Sequence, residues 1–133
     1  MSDFPVTVYH NPNCATSRNV VSAVREAGYE PIVVEYLKTG WTETRLRDLA
    51  TRSGEGLRGL LRDRGAPAAE LGLLAEGASD EVLLAAMLEH PILVNRPIVE
   101  TPRGVVLARP SERVFEVLDR RPETFKKEDG QVV

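Results

Sequence analysis

A single cysteine and two histidines are all this chain offers of the residues that most often build redox pairs and zinc centres. One cysteine excludes an intramolecular disulfide, so an oxidising compartment would add nothing to the fold and a reducing one would keep the thiol free. Cys14, His10 and His90 are spaced too widely for a zinc pattern, and no metal is expected. Positive charge is not in excess either: 17 Lys and Arg against 20 Asp and Glu leave a net charge of −3. A general nucleic-acid or anionic-membrane binder needs a broad basic field, so neither partner is expected. No apolar run approaches the ~20 residues of a membrane span. Residues 1–5 lack the basic region and apolar stretch of a secretory signal, and the expected location is the cytoplasm.

What remains is the composition of an ordinary globular chain, 42% hydrophobic and 28% charged, whose 133 residues fit a single domain. Its basic residues are mostly arginine, 14 of the 17. Arginine presents a planar donor fork suited to oxyanions, although a compositional bias would give the same excess.

The β-branched run Val6-Thr7-Val8-Tyr9, broken at once by Asn11-Pro12-Asn13, predicts a strand entering a turn. Val20, Val21, Val24 and Ala27 recur at helical spacing, with Thr16 or Ser17 as candidate N-caps and Gly28 as C-terminal stop. Residues 31–36, containing Ile32-Val33-Val34, predict a second strand, parallel to the first in a right-handed βαβ unit. A helical block follows: residues 42–52 with Leu46, Leu49 and Ala50, a second helix marked by Leu57, Leu60 and Leu61, and a third opened by Ser79-Asp80-Glu81. Residues 97–100 and 105–107, joined by Thr101-Pro102-Arg103-Gly104, predict an antiparallel hairpin. A last helix is expected from Pro110-Ser111-Glu112, with Val114, Val117 and Leu118 facing inward, followed by a loose charged tail over residues 119–133. Strand, helix, strand, helices, hairpin and helix is the order of an α/β thioredoxin-like fold, glutaredoxin-like in its mixed sheet, with a helical insertion at about 42–90 and a core over 6–118. A generic α/β sandwich has the same order.

Cys14 falls between a strand end and a helix start, where unpaired backbone N–H groups point toward the sulfur and favour a thiolate. An inert buried thiol is the other reading of a lone cysteine, and neighbours Asn13, Thr16 and Ser17 fit it poorly. A phosphatase-type loop needs arginine six residues beyond the cysteine, where this chain has Val20; a dithiol motif needs cysteine three residues on, where it has Ser17. Any covalent intermediate on Cys14 must therefore be broken by an external nucleophile, a small thiol above all. His10 can lower the pKa of Cys14 as an imidazolium or position it by hydrogen bonding; a solvated strand-end histidine is the alternative. Arg96-Pro97 and Arg109-Pro110 set arginines at turns that either line a cleft or face water.

Taken together, the stretches Tyr9-His10-Asn11-Pro12-Asn13-Cys14-Ala15-Thr16-Ser17-Arg18-Asn19, Leu60-Leu61-Arg62, His90-Pro91-Ile92-Leu93-Val94-Asn95-Arg96-Pro97-Ile98-Val99 and Arg109-Pro110-Ser111-Glu112 closely resemble the glutaredoxin-coupled arsenate reductases. The resemblance implies a thioredoxin-like fold, Cys14 as nucleophile, and anion binding by Arg62, Arg96 and Arg109. It also implies that His10 and Ser17 modulate the thiolate and that the Arg96–Pro97 bond is cis. Ala15 departs from the glycine common in that family's loop. The implied substrate is arsenate and the implied co-substrate glutathione, or another low-molecular-weight thiol; glutaredoxin is the protein partner, and no cofactor is tightly bound. Two other readings compete: a thioredoxin-like transcription adaptor binding RNA polymerase, and a thiol-dependent reductase of another substrate. The first typically relies on a two-cysteine switch that Ser17 removes.

Overall fold

A computed structural model describes residues 4–62 and 79–119. They divide into two compact units, one drawn from residues up to 35 and from 96 onward, the other from residues 36–95.

The first unit is built on a four-stranded mixed sheet in the order β2-β1-β3-β4. Strand β1, Thr7–His10, pairs in parallel with β2, Ile32–Glu35, placing Val8 opposite Val33 and His10 opposite Glu35. On its other side β1 runs antiparallel to β3, Ile98–Thr101, which pairs antiparallel with β4, Gly104–Leu107. Thr101 faces Gly104 across the hairpin, so the turn itself is Pro102-Arg103. Gly104 has φ +147°, and the nearest side chain to an added Cβ would be 3.8 Å away, so backbone conformation rather than space calls for glycine there.

Helix α1, Ala15–Glu26, joins the parallel strands. Its buried residues Ser17, Val20, Val21 and Val24 follow the helical repeat and form one stripe. The three valines pack with Val6, Val8, Val99, Val106 and Val114 into one apolar cluster, each side chain contributing roughly 1.5–3 kcal/mol by leaving water. The helix stops as expected, with Gly28 at φ 102° just beyond its end. It starts earlier than expected: Cys14 itself is the N-cap residue, and Ser17 lies inside the first turn.

Two further boundaries shift. Strand β2 ends at Glu35, and Tyr36 already begins a helix. The last helix, Ser111–Glu116, is a 3-10 segment that ends where the carbonyls of Val117 and Leu118 are taken by the Thr101 hydroxyl, 2.6 Å, and Arg103 Nη1, 2.8 Å.

The second unit is helical. It comprises α2, Tyr36–Thr39, α3, Glu43–Ser53, α4, Gly56–Gly59, and α5, Asp80–Glu89, followed by a 3-10 turn at Pro91–Leu93. Thr42 and Ser79 cap α3 and α5, accepting from the backbone N–H groups of Arg45 and Val82. Leu46, Leu49, Leu83 and Met87 are fully buried. The helix expected around Leu57 to Leu61 is a single turn, because Gly56 and Gly59 weaken it and the chain beyond is drawn into extended pairing. Leu61 bridges Val94, the Arg62 N–H donates to the Leu93 carbonyl at 2.7 Å, and the Asn95 N–H donates to that of Leu60 at 2.7 Å. Among the described residues no helix is long and apolar enough to cross a membrane. The expected charged tail lies outside the described residues beyond Asp119.

Candidate active site

The turn between β1 and α1 is held by its own short side chains. The Asn11 carbonyl accepts the Cys14 N–H at 3.0 Å, and Asn11 Oδ1 accepts the Asn13 N–H at 2.9 Å. The Cys14 carbonyl then takes the first helical hydrogen bond, from Arg18 N–H, at 3.0 Å. Cys14 thereby occupies the point where the strand becomes a helix, with extended backbone angles and the amides of Ala15, Thr16 and Ser17 directed out of the helix start.

Cys14 is buried, with 8% of the residue exposed. Burial pushes its pKa up, but donors outweigh burial: the Ser17 backbone N–H, the Arg96 guanidinium and the Arg109 guanidinium together hold the thiol below its ordinary value of 9.0. Arg109 Nη1 lies 3.7 Å from Cys14 Sγ and donates to the Arg96 carbonyl at 3.1 Å. Arg96 is itself buried. Strand β3 begins just after Arg96 and strand β4 ends just before Arg109, so the hairpin delivers both guanidinium groups to the sulfur. The Arg96–Pro97 peptide is cis, and so is Arg109–Pro110.

Behind the loop, His10 and Ser17 are both buried and joined. Ser17 Oγ lies 2.6 Å from His10 Nδ1 and accepts the Asn11 N–H at 3.1 Å. Burial lowers the pKa of His10 below 6.5; Glu35, its cross-strand neighbour, opposes this, while Arg18 and Arg25 reinforce it. A buried, predominantly neutral imidazole at pH 7 therefore acts on the loop through its hydrogen bond more than through charge.

Of the residues expected at the site, Cys14, His10, Ser17, Arg96 and Arg109 stand together in the first unit. Arg62 belongs to the second, half-buried at the end of the extended pairing with Leu93. Two positions escaped the sequence reading. Asn11 anchors the turn from a buried position, for which the Asn-Pro dipeptide was the available signal. Asn19 Nδ2 reaches Ser111 Oγ at 3.4 Å, a link between elements remote in sequence that no local pattern encodes. Among the described residues no group of three or more His, Cys, Asp or Glu could hold a metal ion.

Known proteins are similar to this chain along most of its length. Residues 9–117 match the ArsC family. An arsenate reductase of Synechocystis is 50% identical over 134 residues, covering 100% of this chain and 93% of that protein. An arsenate reductase of Escherichia coli K12 is 47% identical, covering 96% of this chain and 92% of its own. In three dimensions, the arsenate reductase from Vibrio cholerae superposes with a TM-score of 0.83 at 36% identity, over 88% of this chain and 100% of the other. With a matched profile spanning the Cys14 loop and both arginine turns, this chain is a member of the ArsC family.

Proposed function

We propose that this chain reduces arsenate to arsenite through a covalent adduct on Cys14. The observation that carries the reading is the sulfur at the start of α1 facing a guanidinium at 3.7 Å, with the Ser17 amide and Arg96 also donating to it. A thiolate and a tetrahedral oxyanion ask for the same surroundings, fixed N–H donors and positive charge, so the groups that ionise Cys14 also hold its substrate.

Cys14 Sγ attacks arsenic; an As–S bond forms, one As–O bond breaks, and the oxygen leaves as hydroxide, which takes up a proton to become water. Arsenic is still pentavalent at that stage. Glutathione adds in a second condensation, forming another As–S bond and releasing a second water. A glutaredoxin thiolate then attacks the glutathione sulfur: a disulfide forms between them, and the electron pair of the broken As–S bond passes to arsenic, which becomes trivalent. Hydrolysis of the remaining As–S bond frees arsenite and Cys14. Arg96 and Arg109 balance the charge of the anion and of the hydroxide leaving it before that oxygen is protonated. His10 and Ser17 are positioning residues that keep the loop in shape. With a single cysteine in the chain, both thiols consumed come from other molecules.

The test is a coupled assay of arsenite formation in which glutathione and glutaredoxin are varied independently, with Cys14→Ser as control. The reading predicts turnover only when both thiol components are present. Arsenite production by Cys14→Ser, or none by the wild type with any thiol donor, refutes it.

A further inference from the structure

A shallow, open groove of about 370 Å3 runs along the face of α1 turned away from the valine stripe, starting at the residue that follows Cys14. Its lining is Ala15, Arg18, Asn19 and Ser22. These positions repeat with the helical period, so they form one row along the helix, and the row begins at the residue bonded to Cys14. The chemistry described above leaves this groove unused.

Arg18 is the charged member of the row. Its Nη1 donates to the Pro12 carbonyl at 2.8 Å, which ties an exposed guanidinium to the loop carrying Cys14. Among the described residues no carboxylate is paired with it. Ser22 adds an exposed hydroxyl one turn further along, and Asn19 an amide held toward Ser111. A preset arginine with hydroxyl and amide neighbours recognises a carboxylate, for which the guanidinium fork is matched in shape and charge. The volume is that of a small-molecule subsite rather than of a single ion.

We infer that this row is the docking subsite for the carboxylate end of the low-molecular-weight thiol that attacks the Cys14 adduct. The inference rests on the reductase reading for the thiol's role, and on the groove for its place. Arg18 selects a thiol that carries a carboxylate over a small neutral one. The helix spacing directs such a molecule along α1 with its sulfur toward Cys14.

The test begins with binding and needs no arsenate. S-Methylglutathione, titrated into the full chain, shifts the backbone amide resonances of Arg18, Asn19 and Ser22, whereas its diethyl ester, which lacks both carboxylate charges, does not. Arg18→Ala weakens that binding about tenfold, the size expected for one charge-assisted hydrogen bond. Because Arg18→Ala also removes the bond to Pro12, Ser22→Glu serves as the second variant: it keeps that bond and sets a repelling carboxylate in the groove, again weakening binding. In turnover both variants raise the KM for glutathione while that for arsenate stays put, and neither shifts the pH profile of Cys14 alkylation. Absent shifts at these three amides, or undiminished binding in Ser22→Glu, overturns the subsite. Intact binding without arsenate turnover defeats the reductase reading and leaves the subsite standing.

Discussion

His10 Nδ1 and Ser17 Oγ meet 2.6 Å apart in the interior, joining the end of β1 to the first turn of α1 across the loop that carries Cys14. The same Ser17 oxygen accepts the Asn11 N–H, and the Ser17 backbone N–H is a donor to the Cys14 sulfur. One residue thus binds the floor of the loop with its side chain and the Cys14 sulfur with its main chain.

Ser17→Ala leaves the His10 nitrogen and the Asn11 amide without that oxygen in a buried place. The expected loss of stability is about 1–3 kcal/mol. Urea unfolding measures it, and a variant as stable as the wild type would show that the contact contributes nothing.

The lowered pKa of His10 also gives stability a pH dependence. Burial makes the folded state bind the proton less readily than the unfolded state, whose histidine titrates near 6.5. The contribution is complete above that pH and is lost as pH falls through the lower, folded value. The urea midpoint should fall more steeply between about pH 7.5 and about pH 5 for the wild type than for His10→Gln. Parallel slopes would contradict the burial of a neutral imidazole.

Arg96 and Arg109 both donate to the Cys14 sulfur, so removing either raises the thiol pKa toward its ordinary 9.0. The rate of iodoacetamide alkylation against pH should report a midpoint below that value in the wild type and a higher one in Arg96→Gln. In the proposed reaction Arg109→Ala also loses a charge-assisted contact to the anion, about 1.5–3 kcal/mol, or roughly ten- to a hundredfold in kcat/KM for arsenate. An unmoved alkylation midpoint in Arg96→Gln would remove that arginine from the site.

Cys14→Ser replaces a buried cysteine with the smaller serine at an N-cap position, which serine suits well. The melting temperature should hold within a few degrees while arsenite formation disappears. Loss of both together would point to a structural cysteine.

In the second unit, Tyr36 is fully buried, stacks on Trp41 with ring centroids 5.0 Å apart, and donates its hydroxyl to the Val94 carbonyl at 3.1 Å. Tyr36→Phe keeps the stack and strips the donor, at a cost of about 1 kcal/mol. Equilibrium unfolding would detect it; an unchanged midpoint would mean that the carbonyl finds another donor.

Local chemistry made the first half of the site legible. The β-branched run, the Asn-Pro break and the valine spacing of α1 are short-range patterns, and they placed Cys14 at a strand-to-helix junction from sequence alone. The same reasoning slipped where tertiary contacts compete with propensity. Ser17 looks like an N-cap until His10 and Asn11 claim its hydroxyl, and Leu60-Leu61 looks helical until Val94 and Asn95 draw it into extended pairing.

By itself the sequence determined that Cys14 has no second cysteine in this chain to pair with, because cysteine count needs no coordinates. It also set the alternation of strand and helix, since the burial period is written residue by residue. Which arginines surround that thiol was decided only by the antiparallel pairing of β1, β3 and β4. That pairing brings Arg109 Nη1 within 3.7 Å of a sulfur 95 positions away. Contacts at such separations depend on strand register and hairpin closure, which local propensities do not encode.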